Sequence, residues 1–139
     1  MLAALKQRME EKKARAKAIA ESRQWRTNPL LQDCLQAMRG SCTVAPPELH
    51  EAAIAAVNIA LSEDLWQKTE TIPGDFLPET VFLVWDDPKI PVLKALWVLV
   101  KDNLDQITAV APKTFLVSEN LDRIVRIDEQ GIIKLYSVA

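Results

Sequence analysis

The rhythm of apolar and polar positions changes once along this chain, after residue 78. Before that point apolar residues recur at helical spacings. Residues 2–24 are almost all strong helix formers, and Glu11 with Arg15 adds a favourable pair one turn apart, so a helix is expected there. Its apolar content is mostly alanine, and Leu2, Leu5, Met9 and Ile19 make only a thin stripe that buries little. Asn28 before Pro29 reads as an N-cap with proline in the first helical position. It opens a second helix through Leu30, Leu31, Cys34, Leu35 and Met38 that stops at Gly40. Ala45-Pro46-Pro47-Glu48 opens a third, with Leu49, Ala53, Ala56, Val57, Ala60 and Leu61 as its inner positions. Glu48 and Glu51 come early in it, where the helix dipole favours acids. Residues 67–78, with Pro73-Gly74 and Pro78, read as a loop.

From Thr80 the pattern is that of strands. Thr80-Val81-Phe82-Leu83-Val84-Trp85 is a continuous β-branched and aromatic run of the kind that is buried on both faces, and Asp86-Asp87-Pro88 ends it. Pro91 permits a turn or short strand before a fourth helix, whose core stripe is Leu96, Val100, Leu104 and Ile107, with Leu93 and Trp97 alongside and Pro112 closing it. Thr114–Val117, Arg123–Asp128 and Ile132–Ser137 then read as three strands. Asp128-Glu129-Gln130-Gly131 joins the last two as a tight hairpin, with glycine where positive φ is wanted. The expected fold is α+β, with a helical N-terminal half and a mostly antiparallel sheet with one packed helix in the C-terminal half. Residues 1–26 form a basic helical arm and residues 27–139 a single domain.

Composition supports one self-contained unit: 139 residues, 49% hydrophobic and 26% charged, is ordinary for a single globular domain. The net charge of −2 conceals an asymmetry. Residues 1–26 carry eight basic side chains against three acids, a net of +5, so the other 113 residues carry nine basic and sixteen acidic groups, a net of −7. An acidic body repels phosphate backbones, and any nucleic-acid contact would fall to the arm. Cys34 and Cys42 are the two cysteines, without a CxxC pair or a neighbouring histidine, so they read as free thiols in a reducing compartment. Charges interrupt the N-terminal apolar residues, which excludes a secretory signal. The longest apolar stretch, Val92 to Val100, is broken by Lys94 and is about half of what a bilayer crossing needs. A cytoplasmic location is expected.

Catalytic constellations are missing. The three glycines, Gly40, Gly74 and Gly131, are scattered, which excludes a Walker loop and a dinucleotide fingerprint. His50 is the lone histidine and reads as an exposed residue at a helix start rather than as a base. Ser41 and Ser118 lie outside any nucleophile elbow. No metal site and no cofactor are implied. Carboxylates remain: Asp86 and Asp87 end a buried strand, and Asp102 and Asp105 fall on the following helix. Adjacent strand residues point to opposite faces, so at most one of Asp86 and Asp87 enters a given site, and a solvated strand end is the plainer reading. Of four tryptophans, Trp85 and Trp97 sit in core-like runs. Trp25 follows the basic helix, and Trp66 comes just after Glu63 and Asp64, an aromatic beside charge as at protein interfaces.

The stretch Val81 to Tyr136 runs from Trp85-Asp86-Asp87 through Pro91 and Trp97 to Phe115-Leu116-Val117 and the ribbon Ile124-Val125-Arg126-Ile127-Asp128-Glu129-Gln130-Gly131-Ile132-Ile133-Lys134-Leu135. In this order it resembles the small bacterial immunity proteins of contact-dependent and polymorphic toxin systems. The resemblance covers about 40% of the chain, rests on hydrophobic pattern and leaves residues 1–77 aside. It implies a small, non-catalytic binding protein that covers a toxin's active site. The −7 body would complement a basic, nuclease-like toxin, and Glu63, Asp64, Trp66, Asp86 and Asp87 are the candidate partner-binding residues. The alternative is a nucleic-acid-associated or regulatory protein acting through the basic N-terminal helix, and an enzyme built around Asp86 is the third reading.

Overall fold

Asn28 begins the first well-defined element by satisfying its free amides: its side-chain oxygen accepts hydrogen bonds from the N–H groups of Leu30 (3.0 Å) and Leu31 (3.2 Å). Helix α1, Pro29–Ala37, follows, and Met38 caps it. The computed structural model describes residues 28–38 and 41–138 together with residues 7, 10 and 11. The arm expected over residues 1–26, including Trp25, and the stop at Gly40 lie outside the described residues, apart from positions 7, 10 and 11, which are helical.

After α1 come strand β1 (Thr43–Val44), helix α2 (Pro47–Glu63), β2 (Gln67–Thr69), β3 (Thr80–Trp85) and β4 (Leu93–Leu96). Helices α3 (Trp97–Asp102) and α4 (Leu104–Thr108) lead to β5 (Lys113–Ser118), β6 (Arg123–Asp128) and β7 (Ile133–Ser137). One seven-stranded sheet results, in the order β1-β4-β3-β5-β6-β7-β2, with every pairing antiparallel. The α+β class and the placing of the sheet in the C-terminal half hold, while the helices divide between the two sheet faces.

The alternation of the strands explains that division. Val81, Leu83 and Trp85 on β3, Leu93 and Ala95 on β4, Leu116 on β5 and Val125 on β6 turn to one face, where Leu31, Cys34 and Met38 of α1 and Trp97, Val100 and Ile107 of α3 and α4 cover them. Phe82, Val84, Phe115, Val117, Ile124 and Tyr136 turn to the other, where Ala53, Val57 and Ala60 of α2 lie against them. Trp85 ties the layers together by donating its indole N–H to the carbonyl of Ile107 at 2.9 Å. Ser118 fastens the β5–β6 turn, donating its hydroxyl to the Asp122 carboxylate (2.7 Å) and accepting from the N–H groups of Asp122 and Arg123.

Three local expectations are corrected. Residues 67–69 are strand β2 rather than loop, because Gln67, Lys68 and Thr69 pair with Leu135, Lys134 and Ile133. The fourth helix is two short ones that meet at Asn103, whose φ of −128° is incompatible with a continuous helix. Leu93–Leu96 leave the helical pattern to pair with β3, so Leu96 is exposed while Val100 and Ile107 of the expected stripe have no exposed surface. Third, Leu61 is exposed rather than inner. It lies about 100° around the helix from buried Ala60, on the flank of α2.

Candidate partner-binding site

Helix α2 ends at a corner of the molecule where charge, exposed apolar surface and an aromatic cluster meet. Its small inner residues, Ala53 and Ala60, bring the helix close to the sheet, and Phe82, Phe115 and Tyr136 fill the space between. In the last turn Glu63 accepts a hydrogen bond from the Tyr136 hydroxyl at 2.7 Å. That bond to a carboxylate, followed by burial and by the Glu63 charge, holds the Tyr136 phenol above its ordinary pKa of 10.0. Asp64 closes the helix in the left-handed conformation, φ 54°, and its N–H donates to the Ala60 carbonyl. Aspartate tolerates that conformation better than most residues, so the chain can leave α2 sharply and enter β2.

Around these two acids, Ile59, Leu61 and Leu65 are exposed, Leu65 by 68%. Trp66 lies behind them, half-buried, with its ring 5.5 Å from Tyr136 and 6.5 Å from Phe115. The Arg126 guanidinium sits over the Trp66 ring, 5.7 Å from its centre. The Trp66 indole N–H is buried with no hydrogen-bond partner. Trp66 thus props the corner from within, where the sequence suggests a free-standing anchor.

Glu63, Asp64 and Trp66 come together; Asp86 and Asp87 stand apart. Asp86 clamps the end of β3: its carboxylate accepts from the Lys113 N–H at 3.1 Å, and its own N–H donates to the Lys113 carbonyl at 3.2 Å. Asp87 turns the chain by accepting from the Lys89 N–H at 2.9 Å. Trp85 is opposite Thr114, which is opposite Ile127, so Asp86 follows at the sheet end that holds the β6–β7 turn. Gln67 is opposite Leu135, toward the end that holds Arg123 and Ser137. The β2 edge is four strand spacings from β3, roughly 19 Å. The two acid pairs therefore do not form one patch.

His50 corrects another expectation. It is 3% exposed, its Nδ1 has no hydrogen-bond partner, and burial lowers its pKa from 6.5 while Glu51 partly opposes the shift. It is the first of the positions, His50, Ala53, Val57 and Ala60, that α2 turns inward, while Glu48 beside it stays exposed. Cys34 is buried and Cys42 half-buried, both free. Burial pushes their thiols up to about 12 and about 11, with the Cys42 charge adding to the rise at Cys34, so neither is poised as a nucleophile. Asp102 and Asp105 are exposed. Among the described residues no group of three or more His, Cys, Asp or Glu is placed to hold a metal ion, and no helix is long and apolar enough to cross a membrane.

The sequence does not single out Ile59 and Leu65 as exposed, nor does it show the cations that the sheet register assembles beside Trp66. Only the pairing of β2, β7 and β6 brings Lys68, Lys134 and Arg126 together. Residues 55–136 match the family model described as CdiI immunity protein EcoliA0-like. The match covers more than half of the chain, from the second half of α2 to Tyr136 in β7. No curated protein matches the chain.

Proposed function

Because this chain belongs to the CdiI immunity proteins of the EcoliA0-like kind, whose role is to bind and neutralise a cognate toxin, we propose that it acts in the cytoplasm by covering the toxin's active site without turnover. The docking surface is the corner at the end of α2. Exposed Ile59, Leu61 and Leu65 supply apolar area, Glu63 and Asp64 supply negative charge, and Trp66 supports both from behind. An apolar patch rimmed by carboxylates fits a partner that presents apolar side chains among lysines and arginines, as a basic, nuclease-like toxin does. Asp86 and Asp87 lie outside this patch and serve the end of β3.

One observation carries the surface assignment: large aliphatic side chains are left in water beside two acids at the only end of α2 that leads to the sheet's β2 edge. Its test is kinetic. Glu63→Lys with Asp64→Lys should slow association with a cognate toxin domain by roughly tenfold at low salt and flatten the salt dependence. Leu65→Ala should act mainly on dissociation. Unchanged rates in a folded double variant would sink the corner as the docking surface.

A further inference from the structure

Helix α2 packs over β3 and β5, and beyond it the same sheet face continues across β6, β7 and β2. There Arg126 on β6 is directly opposite Lys134 on β7, which is directly opposite Lys68 on β2. Three cations thus stand in one cross-strand row, about 4.8 Å apart from strand to strand. Among the described residues none of the three forms an ion pair; Lys94 with Glu119 is a pair elsewhere. Like charges directly opposite each other weaken a sheet. Arg126 and Lys134 are half-buried, so water screens them less than it would at an open surface. The contact of Arg126 with the Trp66 ring aside, no ion pair among the described residues offsets this repulsion.

Among the described residues no acid lies within ion-pair distance of the row. Arg126 and Lys113 line a pocket of about 200 Å³ with Asp128, Glu129 and Gln130. The Asp128 carboxylate oxygen is already committed to the N–H groups of Gln130 (2.9 Å) and Ile132 (3.0 Å). The indole N–H of Trp66, beneath Arg126, is also without an acceptor, but it is buried and out of a partner's reach. The row also adjoins the α2 corner through one chain of contacts: Arg126 on Trp66, Trp66 on Tyr136, and Tyr136 hydrogen-bonded to Glu63.

We propose that the row Arg126–Lys134–Lys68 is a second docking subsite, for an acidic segment of the same partner protein that meets the α2 corner. It rests on the toxin-binding reading and adds to it: the interface is bipolar, acidic at the corner and basic along the strands. Alternating charge of this kind fixes the orientation of a complex and rejects partners that carry one sign only. A protein carboxylate segment fits better than a nucleic acid. The body around the row is net negative, and Asp128, Glu129, Glu63 and Asp64 border it, so a phosphate chain extending past three cations would meet repulsion.

The experiment compares four full-length proteins: wild type, Lys68→Glu with Lys134→Glu, Glu63→Lys with Asp64→Lys, and the remote control Lys89→Glu. Binding to a cognate toxin domain is measured by calorimetry, and binding to a short single-stranded RNA by anisotropy. The row reversal is expected to weaken toxin binding by roughly tenfold or more, with the control within about twofold. The thermal midpoint of the row reversal itself should stay within roughly 2 °C of wild type, which separates lost affinity from lost folding, and Lys134→Glu alone, placed between Arg126 and Lys68, should raise it. Exposed Lys68→Glu alone provides a second, milder variant. Unchanged toxin affinity in the row variant, with affinity lost in the corner variant, overturns this proposal and leaves the toxin-binding reading intact. RNA binding that disappears with the row while toxin binding persists overturns it in favour of a nucleic acid. Absence of any toxin complex with the wild type overturns the reading and this proposal together.

Discussion

On the face covered by α1, α3 and α4, Val81, Leu83, Leu116 and Val125 meet Leu31, Met38, Val100 and Ile107, and none of these eight has exposed surface. On the α2 face, alanines lie over aromatic rings, one indole N–H is left without a partner, and the strands beyond the helix carry an unpaired row of cations. The first face is the more tightly closed at its centre, and its irregularities, the unpartnered Thr114 hydroxyl and the exposed Leu30 and Val98 of its helices, are scattered. The second gives up part of the stability it could have and gathers instead the exposed apolar and charged groups that a partner can use. There the like charges in register lie beside the three exposed aliphatics of the α2 corner, Ile59, Leu61 and Leu65, a grouping expected where function competes with folding.

The largest test of this contrast is on the closed face. Leu116→Ala should lower unfolding free energy by about 2–5 kcal/mol in chemical denaturation, the range for large-to-small changes at sites without room to collapse. Toxin affinity of the surviving folded fraction should hold. A loss below about 1 kcal/mol would mean that this layer is loosely packed.

Next comes Trp66. Its half-buried ring makes Trp66→Ala cost about 2 kcal/mol, less than full burial would give. Trp66→Phe should recover most of that, because it keeps the ring between Tyr136 and Phe115 and removes the unpartnered indole N–H. Equal losses in the two variants would show that the indole nitrogen has an unseen acceptor.

The smallest effect is a pH slope. His50 is held neutral by burial, with its pKa below the ordinary 6.5, while the unfolded chain takes up a proton as pH falls through that value. Its contribution is therefore present above about pH 6.5 and lost below it. Denaturation midpoints should fall from neutral pH toward pH 5, and His50→Leu should flatten that part of the curve. An unchanged slope in the variant would assign the acid sensitivity to other groups.

Much of the fold is legible in the sequence wherever the signal is long or chemically sharp. The Asn28-Pro29 cap, the proline-led start of α2 and the apolar runs of β3, β5, β6 and β7 all stand where the pattern puts them. What escapes depends on partners distant in sequence. Gln67-Lys68-Thr69 has no strand character of its own and becomes β2 only by pairing with β7. Leu93–Leu96 carries helical spacing but is drawn into the sheet by β3. The resemblance seen from Val81 onward extends in the family match back to residue 55, so that it takes in the end of α2 and β2. Of the candidate site, the acids at the end of α2 are visible as a charged helix end beside a tryptophan. The cationic row is not, since Lys68 and Lys134 are neighbours only through register.

The central claim is that this protein neutralises by stoichiometric covering, and its most direct test is a titration of toxin activity. Purified protein is added in steps to a fixed amount of its cognate toxin domain, and residual toxin activity is read at each step. Activity should fall linearly to zero at one equivalent and return when the complex is dissociated in denaturant and the toxin refolded. Inactivation that runs to completion at a small fraction of an equivalent, or that persists in the refolded toxin, would show turnover on the toxin and contradict the account.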